Sequence, residues 1–235
     1  SRSRWAAVVA LILVSGVCAR LGVWQLARLH QRREANAEVL RARRQPPVSL
    51  DAPGARDSAS LAFRRVAATG RYDRRHELVL RGQAYLGTPG VYVVTPLRLR
   101  GSDTALLVLR GFVPAADAVR ADLGALDERG ELHVTGLAEP MGSGGGRPFA
   151  VEGRSTWAKL DLPALRTALP YPLLPVVLRQ APDSGLPRYP RRLDAPEVDD
   201  GPHLNYAVQW FLFSAMGIAF ALLVVAKGGA VRRAP

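Results

Sequence analysis

The sequence predicts a membrane protein in which two transmembrane α-helices, one at each end, flank an α+β extramembrane domain built on an antiparallel sheet or a small open β-barrel. Three observations predict it. Residues 5–26 and 204–226 are apolar runs of the ~20 residues that a helix needs to cross a ~30 Å hydrocarbon layer. All 20 acidic residues lie between positions 34 and 200, so the charge is segregated into the middle of the chain. That middle holds six or seven short strand-like stretches separated by turn residues.

The first apolar run, residues 5–26, is broken only by Ser15, Arg20 and Gln25. It reads as a retained anchor and not a cleaved leader, because its apolar character continues past Arg20 through Leu21, Val23, Trp24 and Leu26. Arg20 is costly at mid-bilayer but can snorkel from near a helix end. Residues 27–45 lack proline and glycine and are rich in helix formers, so they extend the helix until Pro46-Pro47 stops it. Residues 46–62 read as a loop, most clearly over 51–60.

The β-rich domain is expected over residues 63–200. Strands are expected at 63–72 and 77–85, flanking Asp73-Arg74-Arg75-His76 as a hairpin turn, and at 91–100 and 105–113, joined through Gly101-Ser102-Asp103. Further strands are expected at 132–139 and 175–181, with a shorter one at 156–160. Pro96 marks an edge or a bulge. Short helices are expected at 114–123 and 161–169, the second started by Asp161 as cap and Pro163 in the first turn. The second membrane helix, 204–226, ends at Lys227, leaving 227–235 as a tail. Small residues recur at helical spacing in both spans, Ser15, Ala19 and Gly22 in the first and Ser214, Gly217 and Ala221 in the second, which suits close helix packing in lipid.

Two spans put both termini on one side. Arg2, Arg4, Lys227, Arg232 and Arg233 lie there, while Asp194, Glu197, Asp199 and Asp200 precede the second helix, so the termini are expected to be cytoplasmic and the central domain extracytoplasmic. The net charge of +12 comes from dispersed arginines and from helix-flanking clusters, which argues against nucleic acid as a partner. Arginine, at 30 against two lysines, hints at a GC-rich bacterial genome and hence a bacterial cell membrane. The single cysteine, Cys18, excludes an intrachain disulfide and a Cys-rich zinc or copper site. No nucleophile elbow, zinc-protease helix, Cys-x-x-Cys or phosphate loop is present, and the glycine run at 142–146 reads as a flexible loop, so no enzyme is expected.

Of the four histidines, His76 reads as a turn residue, His133 as a strand position and His30 as a headgroup contact. His203 stands where the second apolar helix begins, and at 3.6 residues per turn it shares a face with Tyr206, Ala207 and Trp210. A neutral imidazole beside aromatic residues at an apolar boundary suits axial ligation of a haem iron. Arg28, Arg32 and Arg33 could face its propionates if the helices pair. Interfacial His, Tyr and Trp also form ordinary anchoring belts, and the residues alone favour that reading.

Gly22-Val23-Trp24-Gln25-Leu26-Ala27-Arg28 and His203-Leu204-Asn205-Tyr206-Ala207-Val208-Gln209-Trp210-Phe211 resemble the two terminal signatures of the surfeit locus protein 1 family, assembly factors of cytochrome c oxidase. Gly70-Arg71-Tyr72-Asp73 and Arg110-Gly111-Phe112-Val113-Pro114 are similar to two of its middle motifs. Gly201-Pro202 stands where the family usually has an asparagine pair, and Phe112 where tryptophan is commoner. The resemblance implies a multi-pass, non-enzymatic assembly factor that holds haem a and helps place it in oxidase subunit I, with the haem a synthesis machinery and the lipid bilayer as further partners. It puts the iron on His203, with Tyr206, Gln209 and Trp210 beside it and Trp24, Gln25 and Arg28 facing from the other helix. A scaffold or accessory subunit that stabilises the oxidase without binding haem is the other reading.

Overall fold

A computed structural model describes residues 2–52, 61–123, 128–144 and 146–230, with the side chains of 228–230 excepted. Most of the loop expected over 51–60, Gly145 of the glycine run and the end of the tail at 231–235 lie outside the described residues. The chain divides into two compact units, one formed by Ser1–Leu40 with Val198–Pro235 and the other by Arg41–Glu197.

The first unit is a pair of helices, each long and apolar enough to cross a membrane. Helix α1 runs over Arg2–Arg44 as one uninterrupted element, and α3 over His203–Ala230. Their contact follows a seven-residue repeat: Val8, Ser15, Gly22 and Leu29 are buried on α1, and Ala207, Ser214 and Ala221 on α3. A heptad repeat keeps one stripe of each helix against its neighbour, and here the stripe is made of small residues. A Cβ placed on Gly217 would lie 3.5 Å from the Ser15 Cβ and far inside contact distance of its Oγ, and one on Gly22 would strike the Phe211 ring at 2.7 Å. The two glycines therefore set how closely the backbones approach.

The second unit is a nine-stranded sheet that closes on itself. Its strands are β1 (Val48–Ser49), β2 (Arg65–Tyr72), β3 (Leu78–Tyr85), β4 (Thr88–Leu99), β5 (Ala105–Pro114), β6 (Leu132–Pro140), β7 (Phe149–Val151), β8 (Arg154–Trp157) and β9 (Leu173–Gln180). The pairings β2–β6–β9–β5–β4 form a five-stranded ring, and β4 returns to β2 through Gly70–Leu99, Arg71–Arg98 and Tyr72–Leu97. The expected open barrel is thus closed, by three residue pairs. A Cβ on Gly70 would fall on the Arg98 carbonyl, so only glycine permits this approach. Val66, Ala68, Leu97, Leu99, Leu106, Val108, Val134, Ala138, Leu174, Val176 and Leu178, drawn from all five ring strands, fill the interior. The alternate residues Leu107 and Leu109 of β5 pack outward with Trp157 and with Leu165 of α2 (Leu162–Ala168).

Four expectations need correction. The sheet is mixed and not antiparallel, because β5–β9, β3–β8 and β1–β2 run parallel. Long intervening segments deliver β8 and β9, and a reading of hairpin-length joins does not register such crossovers. Residues 73–76 form a 3-10 turn, Arg74–His76, and no hairpin: β2 and β3 instead lie along successive stretches of the twelve-residue β4. Pro96 falls where β4 changes partner between them, so its missing N–H leaves no ladder gap there. Residues 114–123 form no helix. Asp117 Oδ1 accepts from the backbone of Val119 and Arg120 at 2.9 and 2.7 Å, an Asx turn that competes with helix, and Ala118 has φ +53°. Strand β1 lies within a stretch read as loop, and β7, where no element is expected, forms a hairpin with β8. The 161–169 helix appears as expected, with Ala164 N donating to Asp161 Oδ1 at 3.0 Å. Gly144 N donates to the other carboxylate oxygen at 2.7 Å, so the glycine run is gathered onto the same cap.

Candidate functional site

The two middle motifs belong to the barrel wall. Val93 pairs with Gly111 and Val94 with Leu109, which leaves Arg110 as the extra residue of a β-bulge. Such bulges re-aim a side chain, and Arg110 is turned fully inside, 0% exposed. It donates to Glu77 at 3.1 Å and Glu128 at 3.0 Å, and its guanidinium lies 5.0 Å from the centre of the Tyr72 ring. Arg192 also binds Glu128 and donates to Gln180 at 3.2 Å. Thr95 completes the cluster through Glu77 at 2.8 Å. Burial pushes the Tyr72 phenol well above its ordinary value. Asp73 accepts from Arg75 N at 3.1 Å and from the Tyr171 hydroxyl at 3.1 Å, and pairs with His76 at 2.7 Å. Burial raises its pKa, but the His76 and Tyr171 bonds outweigh this and hold it low. These residues tie strands together, as buried and hydrogen-bonded charge in a small barrel must.

The other candidate is at the first turn of α3, against α1. His203 is the first residue of α3, and its Nδ1 lies 2.9 Å from Gln25 Oε1, across 178 residues of sequence. The amide oxygen can only accept, so Nδ1 carries the proton and the Nε2 lone pair is left available to a ligand. Gly201, with φ +69°, sits beside that edge of the ring; a Cβ there would come within 3.8 Å of Nε2. A groove of about 420 Å³ opens next to it, lined by Arg28, Gln31, Arg32, Ala35, Gly201 and His203.

The approach to His203 is fixed by a clamp that sequence reasoning did not foresee. Arg33 Nε donates to Asp200 Oδ2 at 2.7 Å; Asn36 donates to the Asp199 carbonyl at 2.8 Å and to Asp200 Oδ1 at 3.3 Å. Arg32 Nε donates to the same Asp199 carbonyl at 3.3 Å, and Gly201 N to Asp199 Oδ1 at 2.7 Å. The Arg33 hydrogen bond holds the Asp200 carboxyl below its usual range. The signal is the run of acids before α3 set against Arg32, Arg33 and Asn36 on α1; in the sequence the acids are read only for topology and the arginines as partners for propionates, with Asn36 left out. The three arginines are therefore not equivalent: Arg33 is committed to Asp200, while Arg28, which also donates to Gln31 at 3.1 Å, and Arg32 line the groove.

Of the seven residues singled out by the sequence, the structure joins His203 to Gln25 and sets Arg28 in the same groove. Trp210 is half-buried and packs edge-on against Phe213 with ring centres 6.0 Å apart. Tyr206 and Gln209 lie on the exposed side of α3. Trp24 does not face His203. It is 52% exposed and lies about 100° around α1 from Gln25, over a shallow depression shared with Val17, Arg20 and Ala27. Among the described residues no three His, Cys, Asp or Glu side chains gather as a metal-binding group.

Comparison with known proteins covers both ends of this arrangement. The sequence model of the SURF1 family matches residues 12–215, a stretch that contains Gln25 and His203. A SURF1-like protein of Monosiga brevicollis is 30% identical over 236 residues, spanning 94% of this chain and 88% of its own. A SURF1-like protein of Rickettsia felis is 26% identical, over 87% of this chain and 88% of its own. Surfeit locus protein 1 of Takifugu rubripes is 25% identical, over 66% of this chain and 71% of its own.

Proposed function

This chain belongs to the SURF1 family, and on that premise we propose that it is a membrane-bound, non-enzymatic assembly factor for haem-copper (cytochrome c) oxidase that holds haem a at the membrane surface and assists its insertion into subunit I. Both apolar helices span the bilayer of a bacterial cell, with the termini cytoplasmic and the barrel extracytoplasmic. The observation that carries the reading is the Gln25–His203 bond, which leaves Nε2 as an available nitrogen beside the groove lined by Arg28 and Arg32. Metal-ligating histidines characteristically donate their other ring N–H to such an acceptor, which fixes the tautomer and the ring orientation.

The residues present fit the group in chemistry. His203 would offer an imidazole nitrogen to the iron, Arg28 and Arg32 would offer guanidinium donors for carboxylates, and exposed Leu204 and Tyr206 of α3 would offer apolar surface beside a groove lined mostly by polar residues. Haem a held there would supply redox-active iron for the oxidase. The chain's own task is to hold and release: Gln25 keeps the imidazole turned outward, the Arg33–Asp200 clamp holds the start of α3, and an open groove gives lateral access for handover.

The test is co-expression with haem a biosynthesis. The purified protein carries a haem absorbance band that is lost or shifted in His203→Ala. If wild type and variant are equally colourless from haem-replete cells, the scaffold reading replaces this one. The placement of Trp24 favours that second reading for its own face of α1, where an exposed indole beside Arg20 suits contact with a partner helix.

A further inference from the structure

A cleft on the barrel unit has no part in the arrangement above. It measures about 640 Å³, within the ~300–1,000 Å³ typical of small-molecule sites. Its floor is the outer side of neighbouring ring strands, with Ala67 of β2, Leu137 of β6 and Ala181 just beyond β9. Leu193 and Ala195 of the segment returning towards α3 form one wall, and Arg43, Arg44 and Pro47 at the end of α1 form another.

The lining is mostly apolar, yet four arginines enter it and they differ in state. Arg179 is neutralised, with Nε and Nη2 donating to the two oxygens of Glu139 at 2.6 and 3.1 Å. Arg43 donates Nη1 to the Pro196 carbonyl at 3.0 Å, while its buried Nε meets no acceptor among the described residues. Arg44 and Arg65 are exposed at the rim and form no ion pair among the described residues. Asp194 is the one carboxylate in the lining. The cleft therefore offers a hydrocarbon wall and an excess of guanidinium at its mouth. Water cannot use the wall well, and a fully polar anion leaves it unfilled. A long-chain amphiphile with an anionic head satisfies both.

We propose that this cleft binds one hydrocarbon chain bearing a carboxylate or phosphate head group, the chain lying along Ala67, Leu137 and Leu193 and the head held by Arg44 and Arg65. A free fatty acid and one acyl chain of an anionic phospholipid share this chemistry. The proposal is independent of what His203 holds.

The full chain, reconstituted in phosphatidylcholine nanodiscs, is exposed to a palmitate carrying a chain diazirine, irradiated and mapped by peptide mass spectrometry. Labelling is expected on peptides bearing Ala67, Leu137 or Leu193, with competition by excess oleate and not by oleyl alcohol. Affinity for unlabelled saturated acids rises about fourfold per added methylene until the cleft is full. Arg44→Gln with Arg65→Gln weakens labelling at least tenfold, and Ala67→Phe, which fills the cleft from an outward strand position, abolishes it without changing the melting temperature. A second arm uses phosphatidylglycerol with a diazirine on one acyl chain; labelling of the same peptides there identifies a phospholipid chain as the occupant. Labelling confined to residues 5–26 and 203–227 in both arms, or equal competition by oleyl alcohol, overturns the proposal. Neither result bears on the haem absorbance of wild type and His203→Ala, so the two readings fail separately.

Discussion

Replacing Arg110 by methionine tests whether the middle motifs hold the barrel together. Methionine keeps the length and apolar stem of the side chain and removes the guanidinium. The side chain is 0% exposed and bonded to Glu77 at 3.1 Å and Glu128 at 3.0 Å, so its loss leaves Glu77 buried with, among the described residues, the Thr95 hydroxyl as its side-chain partner and Glu128 with Arg192. Breaking a buried pair from one side costs ~3–5 kcal/mol, and at about 2–4 °C per kcal/mol for a chain of this size the melting temperature falls by roughly 6–20 °C. Thermal unfolding of the full chain, followed through tryptophan fluorescence in which the fully buried Trp157 reports on the sheet, measures it. Adding Glu77→Gln to Arg110→Met removes the stranded charge and restores most of the loss, because a whole pair costs far less to replace than half of one. A single variant melting within about 2 °C of wild type, or a double variant no better than the single one, would refute the reasoning.

Three further outcomes are expected. If His203 holds haem as proposed, Gln25→Leu, which removes the acceptor for His203 Nδ1, lowers haem retention about 10–100-fold, read by absorbance after purification from haem-replete cells. Cysteines at Ser15 and Gly217, in a Cys18→Ser background, form a disulfide under mild oxidation because the Cβ positions are 3.5 Å apart; after trypsin cuts the barrel unit, the two helical fragments then stay together until reductant is added. The Ala164 backbone bond, with those of Gly144 and Gly146, holds the Asp161 carboxyl below its usual range. Its contribution to stability is present above the ordinary carboxylate pKa and disappears as pH falls through the lowered folded value. Asp161→Asn therefore loses its stability difference from wild type in denaturant melts as the pH is taken from about 5 to about 2.

What could be read from the residues alone was whatever short-range pattern determines. The apolar runs, the helical extension to Arg44, the β4–β5 hairpin and the Asp161 cap are local, and all appear as expected. Ring closure is a non-local event decided by three pairs at Gly70–Tyr72, and no periodicity in either strand announces it. The Asp73–His76 turn carries hairpin residues, but β2 and β3 find better partners in the long β4. The absent helix at 114–123 shows one side chain, Asp117, overriding helical propensity through two backbone bonds. At the helix pair, the motif resemblance named Gln25 and His203 and the structure joins them. The same motif included Trp24, whose place on the wheel, about 100° from Gln25, already separated it from that face.

The bond between Gln25 and His203 spans 178 residues, and this separation imposes a timetable on biosynthesis. At ~5–20 residues per second on the ribosome, roughly ten to forty seconds pass between the emergence of one partner and the other. A nascent chain thus offers no oriented imidazole until α3 has been made and has found α1. A product that ends before α3 lacks His203 altogether, so the oriented ring marks a chain in which both helices have been synthesised and have met.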